Sequence, residues 1–145
     1  MKKMKILLVD DEERLLSTTK KLFEKMGIEA LTANSGRDAL ETLSTTDVDV
    51  IFLDIKMPGM DGIETLQHIK NNYPLTEVII LTGHATMETA VEGLKLGAID
   101  YLIKPVSMKD FLKKAEEAFE KVSLQKQKIR SARMAEVGGE QGELR

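Results

Sequence analysis

Four short motifs in this sequence carry side chains that could do chemistry together. They are Asp10-Asp11, Asp54, Thr82-Gly83 and Lys104-Pro105. Each follows directly on a short apolar run of the kind that forms a buried strand. Because the carboxyl ends of parallel strands meet at one edge of a sheet, we predict that three carboxylates, a hydroxyl and an ammonium converge there.

Such a cluster is suited to binding a metal ion and a phosphoryl group. Three carboxylates held close together repel one another, and a cation that joins them offsets the cost of their ionised forms. Mg²⁺ or Mn²⁺ fits that set of oxygen donors, and magnesium neutralises charge during phosphoryl transfer. Lys104 and Thr82 offer a charge and a hydroxyl to phosphoryl oxygens, and Gly83 lets the backbone approach closely.

Taken singly, these residues have ordinary structural explanations. Asp11 could be a helix N-cap, Thr82 a loop hydroxyl and Lys104 a solvated surface lysine. Taken together, an acidic pair, an aspartate, a threonine and a lysine at four strand ends are improbable by chance. We therefore favour the functional interpretation of the whole set.

The segments around these motifs alternate between strand-like and helix-like patterns. Strands are predicted at 5–9, 28–32, 49–53, 77–81 and 99–103, and helices at 12–26, 37–43, 62–71, 87–96 and from 108 onward. Gly27 and Gly97 fall just past two helix ends, where a left-handed cap favours glycine. Asp61 and Ser107 are predicted N-caps with an acidic residue three positions later. Five strands alternating with five helices predict an α/β fold with a mostly parallel sheet covered on both faces.

Length and composition limit the class of protein. With 145 residues, 42% of them apolar, the chain is long enough for one domain with a core of its own. The absence of cysteine excludes thiolate zinc sites, thiol catalysis and disulfide scaffolds. No apolar run is long enough for a membrane span or a signal peptide, so we expect a cytoplasmic protein with no membrane contact. The net charge of −3 gives no overall attraction to nucleic acid, and we expect no direct nucleic-acid partner.

The last helical pattern extends beyond the predicted domain. We divide the chain into a domain at 1–122, a helical extension at 123–137 and a disordered tail at 138–145. Apolar or small residues recur along this pattern with the four-three spacing of a coiled-coil seam, over a short and Ala-rich stretch. Residues 123–145 carry five Lys/Arg against three Glu, which we interpret as a solvated helix surface.

The motifs resemble those of the receiver domain of bacterial two-component response regulators. The similarity covers about residues 4–122 and agrees in both order and spacing. It is carried by Ile6-Leu7-Leu8-Val9-Asp10-Asp11-Glu12, Asp54-Ile55-Lys56-Met57-Pro58-Gly59-Met60-Asp61-Gly62, Leu81-Thr82-Gly83-His84-Ala85 and Gly97-Ala98-Ile99-Asp100-Tyr101-Leu102-Ile103-Lys104-Pro105. The resemblance implies a flavodoxin-like, doubly wound, five-stranded parallel sheet of order 2-1-3-4-5, with five helices of which the last is extended.

The resemblance also implies a role for each acidic residue of the site. Asp54 would accept a phosphoryl group from a sensor histidine kinase or a phosphotransfer protein. Asp11, Asp54 and the backbone carbonyl of Lys56 would bind Mg²⁺, and Asp10 would assist through water. Lys56 would also lie beside the path of the hydrolytic water, where it could tune the lifetime of the phosphorylated state.

The remaining roles implied by the resemblance concern the response to phosphorylation. Lys104 would pair with the phosphoryl group, which Thr82 and Gly83 would also contact. Thr82 and Tyr101 would form a switch that changes the surface made by the fourth helix, fifth strand and fifth helix. That surface would bind a downstream protein effector or a second copy of the chain. His84 could orient water or could be an ordinary loop histidine, and the Lys104–Pro105 bond would be cis.

Three other functions share parts of this pattern. A Mg²⁺-dependent phosphatase with an aspartyl nucleophile typically has a second acid two residues later, where this chain has Lys56. A phosphorylation-independent interaction module would usually have lost one of the site residues, and a flavin carrier would need more than 4% aromatic residues to stack its ring. We do not expect an enzyme. The domain would promote only its own phosphorylation and dephosphorylation. The sequence leaves open the pathway and whether the domain stands alone or belongs to a larger regulator. We expect the residues that select the kinase to lie near residues 15–19 of the first helix.

Overall fold

The computed structural model describes residues 3–57, 61–83 and 86–143, with side chains as far as residue 136. The strands are β1 (Lys5–Val9), β2 (Glu29–Ala33), β3 (Val50–Asp54), β4 (Glu77–Thr82) and β5 (Asp100–Ile103). The helices are α1 (Glu13–Lys25), α2 (Gly36–Thr45), α3 (Gly62–Asn72), α4 (Met87–Lys95) and α5 (Met108–Glu143).

Within these residues the five strands form one parallel sheet in the order β2-β1-β3-β4-β5, which confirms the predicted topology. The register pairs Leu7 of β1 with Ile51 of β3, and Phe52 of β3 with Ile79 of β4. The two central strands β1 and β3 therefore end side by side. That arrangement brings the residues after Val9 next to Asp54.

The sheet is covered on both faces because successive strand residues point to opposite sides. Ile6 and Leu8 of β1 belong to a core cluster with residues of α1 and α5, whereas Leu7 and Val9 belong to a second cluster with residues of α2, α3 and α4. Three phenylalanines fill the centre of the first cluster. They pack with ring centroids 5.1 to 6.1 Å apart and come from α1, β3 and α5: Phe23, Phe52 and Phe111.

Two glycines end helices as predicted, and both lie in the left-handed region. Gly27 has φ +78° and Gly97 has φ +115°. After α1, the amide of Ile28 donates to the carbonyl of Phe23, and the amide of Gly27 donates to that of Glu24, which is a Schellman motif. Because Ile28 completes this cap, β2 begins one residue later than predicted.

The predicted N-caps are also present. The Asp61 side chain accepts a hydrogen bond of 2.8 Å from the amide of Glu64, and the Ser107 hydroxyl accepts one of 3.1 Å from the amide of Asp110. Each satisfies an amide that the first helical turn leaves without a partner.

Helix α5 is longer than expected. It runs from Met108 to Glu143, so the backbone of residues 138–143 is helical where the sequence predicted a disordered tail. A helix that is already formed adds one hydrogen bond for each residue it gains, and a glycine costs only about 1 kcal/mol relative to alanine. Val122 is the last buried side chain of α5 among the described residues.

Two lysines of α5 reach the amino-terminal edge of the sheet. Lys121 lies 3.4 Å from the carboxylate of Glu77, and Lys126 lies 3.5 Å from that of Asp49. Both carboxylates are buried at the starts of β4 and β3. The Lys126 pair holds the beginning of the extension against the domain. None of the helices in the described ranges combines the length and the apolar composition of a membrane-crossing segment.

We predict that Gly62→Ala destabilises the fold although alanine normally favours helices. A Cβ at position 62 would lie 2.5 Å from the Cα of Ile55 and 2.7 Å from its carbonyl oxygen. Backbone atoms cannot move aside as a side chain can, so we expect a loss of about 2 kcal/mol in the free energy of unfolding, measured in urea by circular dichroism.

Gly83→Ala is the matched control for this substitution. A Cβ at position 83 would meet nothing within 4 Å, so the free energy of unfolding should change by less than about 0.5 kcal/mol. Equal stabilities of the two variants would contradict the close backbone contact at Gly62.

Candidate functional site

The site is built around Asp54, the last residue of the central strand β3. Its side chain is buried, with 9% of its surface exposed. The backbone amide of Lys56 donates a hydrogen bond of 3.1 Å to Oδ1, which fixes the orientation of the carboxylate. The amide of Ile55 donates to the carbonyl of Leu81, so the chain leaving β3 stays attached to β4.

Asp10 and Asp11 lie beside Asp54, as the sequence predicted. Asp10 is almost fully buried and its Oδ1 accepts a hydrogen bond of 3.0 Å from the amide of Glu12, whereas Asp11 is exposed. One carboxylate oxygen from each of the three aspartates can be chosen so that all lie within 4.8 Å of one another. This set of oxygen donors fits a hard divalent cation such as Mg²⁺. The carbonyl of Lys56 as a further ligand stays a prediction.

Lys104 supplies the positive charge next to these carboxylates. It directly follows β5, and its Nζ lies 2.6 Å from Oδ2 of Asp10 and 3.5 Å from Oδ2 of Asp54. Its backbone amide donates to the carbonyl of Thr82 at 2.7 Å, which ties it to the end of β4. The Lys104–Pro105 bond is cis, in agreement with the resemblance.

The pKa of Lys104 reflects two opposing effects. Burial of the ammonium lowers it, but the hydrogen bond to Asp10 and the charges of Asp54, Asp10 and Glu12 outweigh burial and raise the pKa above its usual value. Lys104 is therefore firmly protonated and serves as a fixed cation.

The pKa of Asp54 is raised to about 6. Burial is the main cause, and the charge of Asp10 acts in the same direction. The hydrogen bond from the Lys56 amide and the contacts with Lys104 oppose this shift without cancelling it. Near neutral pH the carboxylate is mostly ionised, but its ionisation costs free energy that a bound cation would recover.

Thr82 lies at the edge as predicted, but its hydroxyl is engaged elsewhere. It is buried and contacts the hydroxyl of Thr86 and the carbonyl of Gly83. Within the described residues the Thr82 hydroxyl makes no hydrogen bond to Asp54 or Lys104. Thr86 is not among the residues predicted from the sequence, where its only signal is a second threonine four residues after the first.

Three predicted site residues remain: Tyr101, Lys56 and His84. Tyr101 is half-buried and packs against the core cluster that contains α4. The side chain of Lys56 is exposed. His84 lies outside the described residues. The roles of these three residues stay predictions.

An apolar groove opens beside Lys104. It has a volume of about 440 Å³ and lies between α1 and the segment that joins β5 to α5. Leu15 and Leu22 of α1 form one side, and Val106 and Met108 form the other. Leu15 and Leu22 are 36% and 39% exposed, so the groove presents apolar side chains at the surface.

Comparison with known proteins agrees with this geometry. The family profile described as "Response regulator receiver domain" matches residues 6–116. Regulatory protein AtoC of Escherichia coli K12 is 40% identical over 126 residues, which cover 85% of this chain and 27% of AtoC. DNA-binding transcriptional regulator NtrC of Klebsiella pneumoniae is 34% identical over 83% of this chain and 26% of NtrC. The chain thus spans about a quarter of the length of these curated relatives.

Solved structures show the same fold. A response regulator receiver domain protein from Clostridium thermocellum is 38% identical and superposes with a TM-score of 0.80, covering 84% of this chain and 98% of that one. NtrX from Brucella abortus, solved in complex with ADP, is 31% identical with a TM-score of 0.82, covering 87% of this chain and 29% of NtrX.

The raised pKa of Asp54 predicts a pH-dependent gain in stability for Asp54→Asn in metal-free buffer. The folded-state pKa of about 6 lies above that of the unfolded chain, so the wild-type carboxylate lowers stability increasingly as pH rises from about 4 to 6. Because asparagine does not ionise, the variant should gain about 1–2 kcal/mol at pH 8 relative to wild type.

The measurement is urea unfolding of both proteins at pH 4 and pH 8 with a chelator present. The advantage of Asp54→Asn should fade toward pH 4, where the carboxyl is protonated in the folded state and only about half ionised in the unfolded state. A gain of the same size at both pH values would place its cause outside the ionisation of Asp54.

Proposed function

The chain belongs to the response regulator receiver family, and we propose that it is a phosphorylation-dependent signalling switch that accepts a phosphoryl group on Asp54 from a histidine kinase. The observation that carries this proposal is the arrangement around Asp54. A buried, mostly ionised carboxylate lies 3.5 Å from a fixed ammonium and next to two further carboxylates that suit a cation. A nucleophile, a counter-charge and a metal-binding set are the parts that phosphoryl transfer requires.

In the proposed reaction an oxygen of Asp54 attacks the phosphorus of a phosphohistidine on the kinase. A new oxygen–phosphorus bond forms and the phosphorus–nitrogen bond breaks, so the imidazole leaves and Asp54 becomes an acyl phosphate. The amide of Lys56 holds the carboxylate in one orientation throughout. Lys104 contacts the negative oxygens of the transferred group and balances their charge.

Asp10, Asp11, Asp54 and the carbonyl of Lys56 would hold a divalent cation, which we propose to be Mg²⁺ or Mn²⁺. When bound, the cation supplies positive charge that stabilises the transferring phosphoryl group. The domain promotes only its own phosphorylation and dephosphorylation, and Lys56 and His84 are proposed to set how long the phosphorylated state lasts.

Phosphorylation then shifts the domain between two states. The phosphoryl group carries a charge of about −1.5 to −2, more than the carboxylate it replaces. Its oxygens draw the hydroxyl of Thr82 and the amide of Gly83 inward, and Tyr101 fills the space that Thr82 leaves. The surface formed by α4, β5 and α5 changes as a result, because the phosphoryl group stabilises a state that is already accessible.

The groove beside Lys104 is the proposed docking site for the kinase or for a phosphotransfer protein. It is apolar, lies at the same edge as Asp54, and includes the part of α1 near residues 15–19 where kinase pairing is expected. A helix of the partner placed along Leu15 and Leu22 would bring its phosphohistidine toward Asp54.

The output is proposed to pass through the α4-β5-α5 surface to a downstream effector or to a second copy of the chain, in the cytoplasm. Relatives such as AtoC and NtrC are about four times as long as the matched region, and NtrC is named a DNA-binding transcriptional regulator. The expectation that no nucleic acid is involved has no support from these relatives. We propose that α5 leads toward an effector region in a longer regulator.

The phosphoacceptor assignment predicts that Asp54→Asn abolishes labelling by a small phosphodonor. Acetyl phosphate carrying a ³²P label should modify the wild type in the presence of Mg²⁺ and should leave it unmodified when a chelator is added. Asp54→Asn should remain unlabelled because the nucleophilic carboxylate is gone.

Asp49→Asn is the control, since Asp49 is a second buried aspartate one residue before the other end of β3. It should be labelled like the wild type. Full labelling of Asp54→Asn, or loss of labelling in both variants, would overturn the assignment of Asp54.

The docking proposal predicts that Leu15→Arg slows phosphotransfer from a histidine kinase that labels the wild type. A charged side chain in the apolar groove should lower kcat/KM for the transfer by at least about tenfold, which corresponds to roughly 1.4 kcal/mol. Acetyl phosphate needs no docking surface, so the rate at which it labels Leu15→Arg should stay within about twofold of the wild-type rate.

Val91→Arg provides the comparison, because Val91 is an equally apolar side chain on α4, 45% exposed and outside the groove. Its transfer rate should match the wild type. Equal rates for Leu15→Arg and Val91→Arg would show that the groove is not the docking site.

A further inference from the structure

Thr86 immediately precedes α4, at the position where a threonine would ordinarily cap the helix. Its hydroxyl makes no capping hydrogen bond to the first turn of α4. Instead it turns back toward the end of β4. It accepts a hydrogen bond of 3.0 Å from the amide of Gly83, lies 3.1 Å from the carbonyl oxygen of Gly83, and contacts the hydroxyl of Thr82.

The groups that Thr86 occupies are the two donors that the proposed phosphorylation needs. The hydroxyl of Thr82 has a single proton and is buried, so its hydrogen-bond partners are confined to its immediate neighbours. The amide of Gly83 likewise has a single proton. Neither donor can serve a phosphoryl oxygen fully while it remains within hydrogen-bond distance of Thr86.

We propose that Thr86 is a positioning residue that holds the unphosphorylated state by competing with the phosphoryl group for the Thr82 hydroxyl and the Gly83 amide. This inference rests on the function proposed above. In the resting domain, the Thr86 oxygen takes the place of a phosphoryl oxygen for these donors. On phosphorylation the contacts to Thr86 break and the donors turn toward Asp54, so the strength of the Thr86 contacts sets part of the cost of switching.

The proposal predicts opposite behaviour for two conservative variants. Thr86→Val keeps the shape of the side chain but removes the hydroxyl. In the resting state this leaves the Gly83 amide without its Thr86 acceptor and leaves the Thr82 hydroxyl with the Gly83 carbonyl alone. Thr86→Ser keeps the hydroxyl. Loss of one or two neutral hydrogen bonds corresponds to a change of about five- to thirtyfold in an equilibrium constant.

The test is calorimetric titration of the whole chain with beryllofluoride, a phosphoryl mimic, in the presence of Mg²⁺. Thr86→Val, and Thr86→Ala as a second variant without the hydroxyl, should bind about five- to thirtyfold more tightly than wild type. Thr86→Ser should stay within about twofold. A merely structural role would leave the affinity unchanged or weaken it in the variants without the hydroxyl, and either result would overturn the proposal.

Urea unfolding of the same proteins provides the second readout. Thr86→Val should be less stable than wild type without beryllofluoride, and the difference should shrink when beryllofluoride is saturating, because the bound state no longer uses the Thr86 hydroxyl. A difference that persists unchanged would contradict competition. Failure of every protein, wild type included, to bind beryllofluoride would instead overturn the proposed function of Asp54, whereas equal binding by all would overturn only the role of Thr86.

Discussion

The site depends on an imbalance of charge at the carboxyl edge of the sheet. The carboxylates of Asp10, Asp11 and Asp54 are brought within a few ångströms of one another, and Lys104 is the cation that lies against two of them. Burial and the neighbouring charge of Asp10 raise the pKa of Asp54. The ammonium of Lys104 lies closer to Asp10 than to Asp54, so it compensates the charge of Asp54 only in part. That residual cost is what makes a divalent cation a favourable partner for this edge.

The rest of the fold keeps this imbalance in place. Asp54 ends β3 and Asp10 directly follows β1, and both strands are buried on both faces, so neither carboxylate can move away from the other without disturbing the core. The first turn of α3 packs directly against the backbone that follows Asp54, at a distance only glycine permits at position 62. At the opposite edge, lysines of α5 pair with buried Asp49 and Glu77, so the same sheet also anchors the helix that leaves the domain.

The sequence was sufficient for features that depend on periodicity and position, and insufficient for features that depend on individual hydrogen bonds. Strand ends follow from apolar runs and turn residues, which is why the amino-acid pattern alone places Asp10, Asp54 and Lys104 together. The start of β2 was missed by one residue because the Ile28 amide completes a helix cap. The partner of the Thr82 hydroxyl was missed because side-chain orientation in a loop leaves no periodic signal, and a threonine before a helix ordinarily indicates a cap.

The resting site is best understood as one whose donors are already satisfied from within the chain. Lys104 is bound by Asp10, and the Thr82 hydroxyl and Gly83 amide lie against Thr86, so a phosphoryl group gains only the difference between its own contacts and the ones it displaces. A ligand shifts a two-state equilibrium by its differential affinity for the two states and by nothing else. For the proposed switch, internal contacts of intermediate strength would keep the domain in its resting state without phosphate and would still allow one phosphoryl group to change that state.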